Sequence, residues 1–342
     1  MDHQNDDNCA LSFHSAKVAN DLIEVRETDG KGLGIFARCD IRQGTRVITE
    51  SPLIEVDLEG RNASKIVMAF KQLPLQQQEQ YLTLHYYASD GFKRSVEEEI
   101  GQSWDSIPEL DRTVLGIWGT NAYVNVFLLS SRINHSCLPN IQHSWHPGLE
   151  QEVFHAVRDI TAGEELTVSY LGPLNGDKKR RQGDLDDWGF KCSCPVCEDT
   201  PEGMEREKKF AQLYRLENEL AFETHIALAE SHKRALSVAQ KMAAIQKSEG
   251  ILHRELRVAY HDAGRFCLKL GNRKMACLWA KKELEVGHYC FGEDHPACKE
   301  VSEVVELLQA TMESNGPLDE RIIKWSVLTH RDDMDEVTCS VM

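Results

Sequence analysis

Two short stretches concentrate residues able to do chemistry. Residues 131–140 read SRINHSCLPN and set Asn134, His135, Ser136 and Cys137 side by side. Residues 191–197 read KCSCPVC, with thiols at Cys192, Cys194 and Cys197. A cysteine beside a histidine has the makings of an activated nucleophile, the imidazole taking the thiol proton. Three thiolates in one tight loop suit Zn²⁺ instead, which in a structural site takes four tetrahedral ligands. Only three are local, so a fourth comes from elsewhere. Cys137 is the best candidate, because its neighbours already mark a special turn. The long intervening loop is no obstacle, since closure entropy grows only slowly with length. Ordinary unligated thiols are the plain alternative. As a zinc ligand Cys137 is no free nucleophile, and a closed four-thiolate site leaves no open position for catalysis by the metal.

The rest of the chain bounds what such residues can serve. At 342 residues and 41% apolar it has room for two domains, or one with an appendage. Eleven cysteines is a high number. The opening MDHQNDDNCALSFH is polar and acidic, with no secretory pattern to support a disulfide framework. Apolar runs such as Val126 to Leu129 are far too short to span a bilayer. The expectation is a soluble protein of the cytoplasm, the nucleus or both. A net charge of −16 repels nucleic acid, and Lys178-Lys179-Arg180-Arg181 is the only dense basic run. Such a surface favours basic partners such as Lys-rich proteins, or simply confers solubility.

The elements that must position these residues fall into four zones. LIEVRETDGKGLGIFARCD reads as a hairpin around DGKG, and VITESPLIEV follows with strand-like residues. Residues 57–119 carry helical spacing and form a helical insertion without a cysteine. IQHSW, EVFHAV and ELTVSY read as short strands, with Gly163 carrying the turn between the last two. His143 and His146 lie among them and read as surface histidines. From about residue 204 the chain is helical, punctuated by Gly250, Gly271-Asn272 and Gly292. Tyr260, Gly264, Ala276 and Ala280 fit one copy of a 34-residue helical repeat, where small residues let two antiparallel helices cross closely. A plain helical bundle is the alternative. From Gly316 the pattern weakens and loose packing is expected. Cys339-Ser340-Val341-Met342 matches a prenylation box, although the acidic RDDMDEV before it opposes binding to anionic lipid.

KGLGIFA places Gly32 and Gly34 beside the hairpin turn, where a ligand can approach the backbone closely. It is no dinucleotide fingerprint, and alone it reads as a bare turn. The order of motifs is more specific: GLGIFA, RINHSCLPN, GEELTVSY, then Cys-x-Cys-x-x-Cys. That order resembles the SET-domain family of S-adenosylmethionine-dependent methyltransferases, in particular its SMYD-type branch and fungal relatives. The resemblance implies an α+β protein. Small sheets of a SET domain over 20–170, interrupted by the 57–119 insertion, lead to a zinc-binding post-SET segment over 171–203. A C-terminal α-helical, TPR-like domain over 204–314 follows, between an N-terminal tail (1–19) and a C-terminal one (315–342).

The same resemblance implies site residues. Lys31, Gly32, Leu33 and Gly34 match the cofactor-contacting turn. Asn121 and Ala122 match a further cofactor-contacting pair, Ser131 and Arg132 line the same pocket, and Asn134 and His135 hold the cofactor. Tyr170 matches the main catalytic residue, which also borders the cofactor. Phe190 matches the aromatic on the adenine, and Trp188 an aromatic of the target-lysine channel, with Tyr123 as a further wall. Cys137, Cys192, Cys194 and Cys197 match the ligands of one structural Zn²⁺. SMYD proteins carry a second zinc module, the MYND finger, between the glycine turn and the Asn-His pair. From Asp40 to Ile133 this chain has no cysteine, so that module and its partner-binding role are not expected.

The expected activity is methyl transfer from S-adenosylmethionine to lysine side chains of proteins bearing a basic segment, with no direct nucleic-acid partner. Two alternatives stand beside it: a small-molecule substrate on the same fold, and a non-catalytic SET/TPR-like adaptor. An intact glycine turn, Asn-His pair and Tyr170 argue against the adaptor. Substrate identity, degree of methylation and oligomeric state are not legible.

Overall fold

A computed structural model describes residues 21–28, 30–57, 61–172, 176–224, 228–312 and 316–328. The N-terminal tail and the Cys339-to-Met342 box lie outside these. A hairpin of β1 (Ile23–Thr28) and β2 (Gly32–Ala37) pairs Ile23 with Ala37 and Thr28 with Gly32. Its turn needs left-handed backbone, supplied by Gly30 and Gly32 at φ 73° and 74°. β3 (Arg46–Glu50) follows, and beyond it a single bridge from Ile54 to Val126 is all that the second half of VITESPLIEV forms.

The insertion is four helices: α1 (Ala63–Gln72), α2 (Leu75–Tyr81), α3 (Asp90–Ile100) and α4 (Glu109–Asn121). Side-chain caps start two of them. Asn62 accepts from the Lys65 amide at 2.9 Å and Ser89 from the Phe92 amide at 3.0 Å. Their apolar faces close on a core of their own, with Ile66, Phe70, Tyr81, Val96 and Leu115 buried. α4 therefore ends at a defined place and delivers Asn121 to Tyr123 toward the sheets.

The chain then returns to strand: β4 (Asn134–His135), β5 (Ile141–His146), β6 (Gln151–Ala156) and β7 (Glu165–Val168). One sheet has the order β1-β2-β7-β4, and the other β3-β6-β5. β4 lies parallel to β7, with Asn134 opposite Thr167 and His135 opposite Val168. Ile35, Phe154, Ile133 and Leu166 are buried between the two sheets.

A short helix α5 (Lys178–Leu185) precedes the cysteine loop, and helices fill the rest: α6 (Pro201–Thr224), α7 (Ala229–Glu249), α8 (Arg254–Lys269), α9 (Arg273–Phe291), α10 (Pro296–Thr311) and α11 (Glu320–Val327). One buried cluster runs from Cys137, Val157 and Cys197 through Phe210 and Leu213 to Phe266, so the cysteine loop and the helical half share a core. No helix among the described residues is long and apolar enough to cross a membrane.

Two expectations are corrected and a third is extended. Residues 320–327 are helical rather than loosely packed: Asp319 caps α11, Ile322 and Trp325 are buried, and Trp325 Nε1 donates to the buried Glu283 carboxylate at 2.9 Å. Gly264 does clear a close approach, but a Cβ there would meet the Trp325 ring at 2.7 Å before Trp279 at 3.3 Å, so α11 as well as α9 needs the glycine. His143 and His146 are not surface residues. His143 pairs with Glu152 at 2.8 Å, and His146, buried, lies 3.5 Å from Asp294 in the turn before α10. The helical half covers that face of β5.

Candidate functional site

Tyr170 ends the ELTVSY stretch just past β7, where the chain leaves the sheet. Its hydroxyl donates to the Ile133 carbonyl at 2.6 Å, and its backbone N–H donates to His135 Nδ1 at 3.0 Å. Trp188 lies 5.5 Å away between ring centroids, and Phe190 6.2 Å away nearly edge-on at 89°. Burial, with the Glu165 charge adding, raises the Tyr170 phenol above its ordinary value of 10.0. The group is therefore a neutral hydroxyl, able to donate and accept, and not a phenolate base.

Trp188 is held by its own indole N–H, which donates to the Thr120 carbonyl at the end of α4 at 3.1 Å. The insertion thus sets one wall of the site. Asn121 is buried, its amide donating to the His85 and Ile117 carbonyls at 2.6 and 2.7 Å. Ser131 Oγ donates to the Asn121 carbonyl at 3.2 Å. These residues surround a cavity of about 310 Å³ that Asn121, Ala122, Tyr123, Ser131, Tyr170 and Trp188 all line. Its size lies at the lower end of the range for small-molecule and cofactor sites.

The glycine turn meets Asn134 on the neighbouring strands. Asn134 Nδ2 donates to the Leu33 carbonyl at 3.2 Å and to Glu165 Oε1 at 2.7 Å. Lys31 reaches the other Glu165 oxygen at 3.3 Å. A Cβ on Gly34 would lie 2.8 Å from Glu165 Oε1 and 3.0 Å from Asn134 Nδ2, so a side chain there would push this polar pair aside. Phe190 packs on the His135 ring at 6.0 Å. Burial lowers His135 to about 4, so the ring is neutral. Arg132 turns away from the cavity, donating to Thr83 Oγ1 at 2.8 Å.

Cys137, Cys192, Cys194 and Cys197 come together, their sulfurs all within 4.8 Å of one another. Cys137 lies 3.6 Å from Cys197 and 4.0 Å from Cys192. Tetrahedral zinc with Zn–S bonds of about 2.3 Å sets its sulfurs roughly 3.8 Å apart, so the set fits the ion. Hydrogen bonds from Cys192, Cys194 and Cys197, together with burial, push the Cys137 thiol up, while the same contacts push Cys194 down. A dication bound there would hold all four as thiolates. Arg181 is buried beside them, donating to Cys197 Sγ at 3.5 Å and to Glu207 at 2.7 Å. Lys178 pairs with Asp199 and Arg180 with Tyr214, so three of the four residues in the basic run make local contacts.

Several lining residues carried no signal in sequence. Asp184, Asp187, His253, Arg254 and Glu255 also face the cavity, the last three from the start of α8. Glu165 stands within the quoted GEELTVSY, yet its link to Lys31 and Asn134 depends on two strands meeting. Glu50 accepts from the Leu129 and Ser130 amides at 2.7 and 2.8 Å, anchoring the approach to SRINHSC.

Mixed small sheets, a strand-end tyrosine among aromatics and a three-cysteine loop met by Cys137 together define the architecture of a SET-type enzyme. A family model described as the SET domain matches residues 32–171. The histone-lysine N-methyltransferase set5 of Schizosaccharomyces pombe is 30% identical over 289 residues, 84% of this chain and 84% of that protein. The histone-lysine N-methyltransferase SET5 of Meyerozyma guilliermondii is 41% identical over 85 residues, 24% of this chain and 18% of that one. Among solved structures, the SET domain of LSMT bound to lysine and AdoHcy aligns with 96% of this chain and 87% of its own, at 14% identity and a TM-score of 0.36. The chain belongs to the SET-domain family, and it is a protein-lysine methyltransferase.

Proposed function

We propose that the protein methylates lysines in histones, with Tyr170 as the catalytic residue. The observation that carries this is Tyr170 in the wall of the 310 Å³ cavity, beside Trp188 and with Asp184, Asp187 and Glu255 on the same lining. A cavity with aromatic walls and acidic residues suits a lysine carried on a basic segment. The histone-lysine activity named for the Schizosaccharomyces pombe relative supports the substrate class. A histone substrate is met in the cytoplasm or the nucleus. Within the family we place the chain in an SMYD-like branch without the MYND finger. Its long helical half and the cysteine-free interval from Asp40 to Ile133 support that placement.

S-adenosylmethionine supplies a sulfonium methyl group. This chain's residues supply orientation and a dry, shaped cavity. Lys31, Gly32, Leu33, Gly34, Asn121, Ala122, Ser131, Asn134, His135 and Phe190 are the proposed cofactor contacts. Arg132 contributes by anchoring its segment on Thr83. Tyr123 and Trp188 wall the lysine channel. An ammonium cannot attack, so the amine first gives its proton to solvent; the aromatic walls favour the neutral form by desolvation, against the pull of the acidic residues in the lining. The Tyr170 hydroxyl keeps its proton and is steered by the Ile133 carbonyl, so it orients the neutral amine without competing as a base. Cys137, Cys192, Cys194 and Cys197 are the proposed ligands of one structural Zn²⁺, which would hold Trp188 and Phe190 over the site.

Incubation with methyl-labelled cofactor and core histones, followed by peptide mapping, tests this reading. Label on histone lysines is expected. Label confined to small molecules, or to other proteins in an extract with histones untouched, would sink the substrate class.

A further inference from the structure

We infer that His135 is a positioning residue that couples the four-cysteine cluster to Tyr170 through its two ring nitrogens. This rests on the proposed reading of the cluster as a metal centre.

A backbone N–H can only donate. The Tyr170 amide at 3.0 Å therefore requires a lone pair on His135 Nδ1, which places the ring proton of the neutral imidazole on Nε2. Nε2 faces Cys137 Sγ at 3.4 Å. The ring thus accepts from the catalytic tyrosine's backbone and donates to a proposed metal ligand. It is buried and held by flanking rings, Tyr170 at 5.3 Å and Phe190 at 6.0 Å. The backbone reinforces the link. His135 lies opposite Val168, and the Ser136 amide donates to the Val168 carbonyl at 2.9 Å.

Tyr170 is thereby fixed at both ends, its amide by the His135 ring and its hydroxyl by the Ile133 carbonyl. A Cys137 thiolate bound to a cation is a fixed acceptor, and it holds the Nε2–H in one orientation. A free thiol rotates and can itself donate, which removes that anchor. Metal occupancy then sets the ring, and the ring sets where the tyrosine starts. Outer-shell partners of metal ligands act in this way, orienting the ligand and tuning its basicity.

Two substitutions separate the halves. His135→Asn keeps an acceptor near the Nδ1 position and loses the donor to Cys137. His135→Gln reaches toward Cys137 with an amide donor and loses the acceptor. The expected pattern is crossed. The Asn variant releases zinc to a chromophoric chelator about 10–100-fold more readily than the wild type, in line with other outer-shell losses. The Gln variant retains zinc better than Asn, yet its kcat falls about ten-fold or more below that of Asn, with cofactor affinity by calorimetry similar in the two. Nitrogen-15 NMR of the wild-type ring is expected to show the proton on Nε2.

A proton on Nδ1, or metal retention and kcat falling in parallel in both variants, overturns the coupling. Wild-type protein purified without zinc overturns the reading of the cluster instead. The tautomer and the difference in kcat between the two variants then still decide whether the ring positions Tyr170.

Discussion

A single hydroxyl carries the proposed chemistry. Tyr170→Phe keeps the ring against Trp188 and Phe190 and removes only the oxygen. Losing one preorganised hydrogen-bonding group at a reacting centre typically lowers kcat by about 10²–10³-fold. That fall is expected with cofactor affinity by calorimetry little changed, and unaltered turnover would remove Tyr170 from the mechanism. A second test at this scale concerns His155 on β6, which is buried and accepts from Arg46 Nε at 3.2 Å. Burial, then the neighbouring Arg46 charge, lowers it from 6.5 to about 4, with Asp294, His295 and His146 also facing it. Between those values the unfolded chain binds the extra proton and the folded one does not, so stability rises with pH. It is intact above about 6.5 and is lost as pH falls toward 4. The share of His155 in the stability lost on denaturant unfolding is on the order of 1–2 kcal/mol between pH 7 and pH 5, beside the shares of His135 and His253, which burial also lowers. His155→Gln removes that share and makes the slope shallower, and an unchanged slope would exclude His155 as a source. The cysteines were legible in sequence because three thiols at that spacing have few other uses. Glu50 and Glu165 were not, because an acidic residue is generic until its partners are known. His143 and His146 were misread because they take opposite faces of β5, and only the assembled fold says that both are covered, one by Tyr123 and Glu152 and the other by the docked helices.

Among elements, α11, like the equally short α5 in a stretch that reads as loop, is one that sequence pattern passed over. Eight residues hold barely two turns, too few for periodicity to stand out, and its anchor Trp325 pairs with Glu283 of distant α9. Gly264→Val tests how tightly it docks. The added carbons would enter space that the Trp325 ring holds at 2.7 Å from the nearest Cβ position. Overpacking of that kind destabilises by about 1–3 kcal/mol, read as a lowered Tm. Adding Trp325→Leu should restore part of the loss, and a double variant no better than the single would place the strain elsewhere. The longer helices and the β1–β2 hairpin were legible, since their periods and turn residues are local. The share of the cavity taken by His253, Arg254 and Glu255 was not. Nothing near Gly250 announces that the start of α8 faces Tyr170 across the molecule.

For the whole molecule, charge is the property that composition alone reveals. With 55 acidic against 39 basic residues, the chain attracts a basic substrate over distance. Raising salt from about 50 to 300 mM shortens the reach of that attraction to a few ångströms, so KM for a basic peptide is expected to climb several-fold while kcat holds. A KM indifferent to salt would show that recognition is short-range. The sheet order β1-β2-β7-β4 bears on how the chain is made. β2 waits for Glu165 and Leu166, and β4 enters only as a parallel neighbour of the same late strand. Contacts this far apart in sequence slow folding, and a growing chain exposes unpaired strand edges until they form. During synthesis the first hairpin leaves the ribosome well before its partner exists, while the four helices of the insertion, with a core of their own, can settle first. A stalled or truncated chain ending before Glu165 would carry a folded insertion beside an open, aggregation-prone edge. The cell would meet that species as a client for chaperones before it met the enzyme.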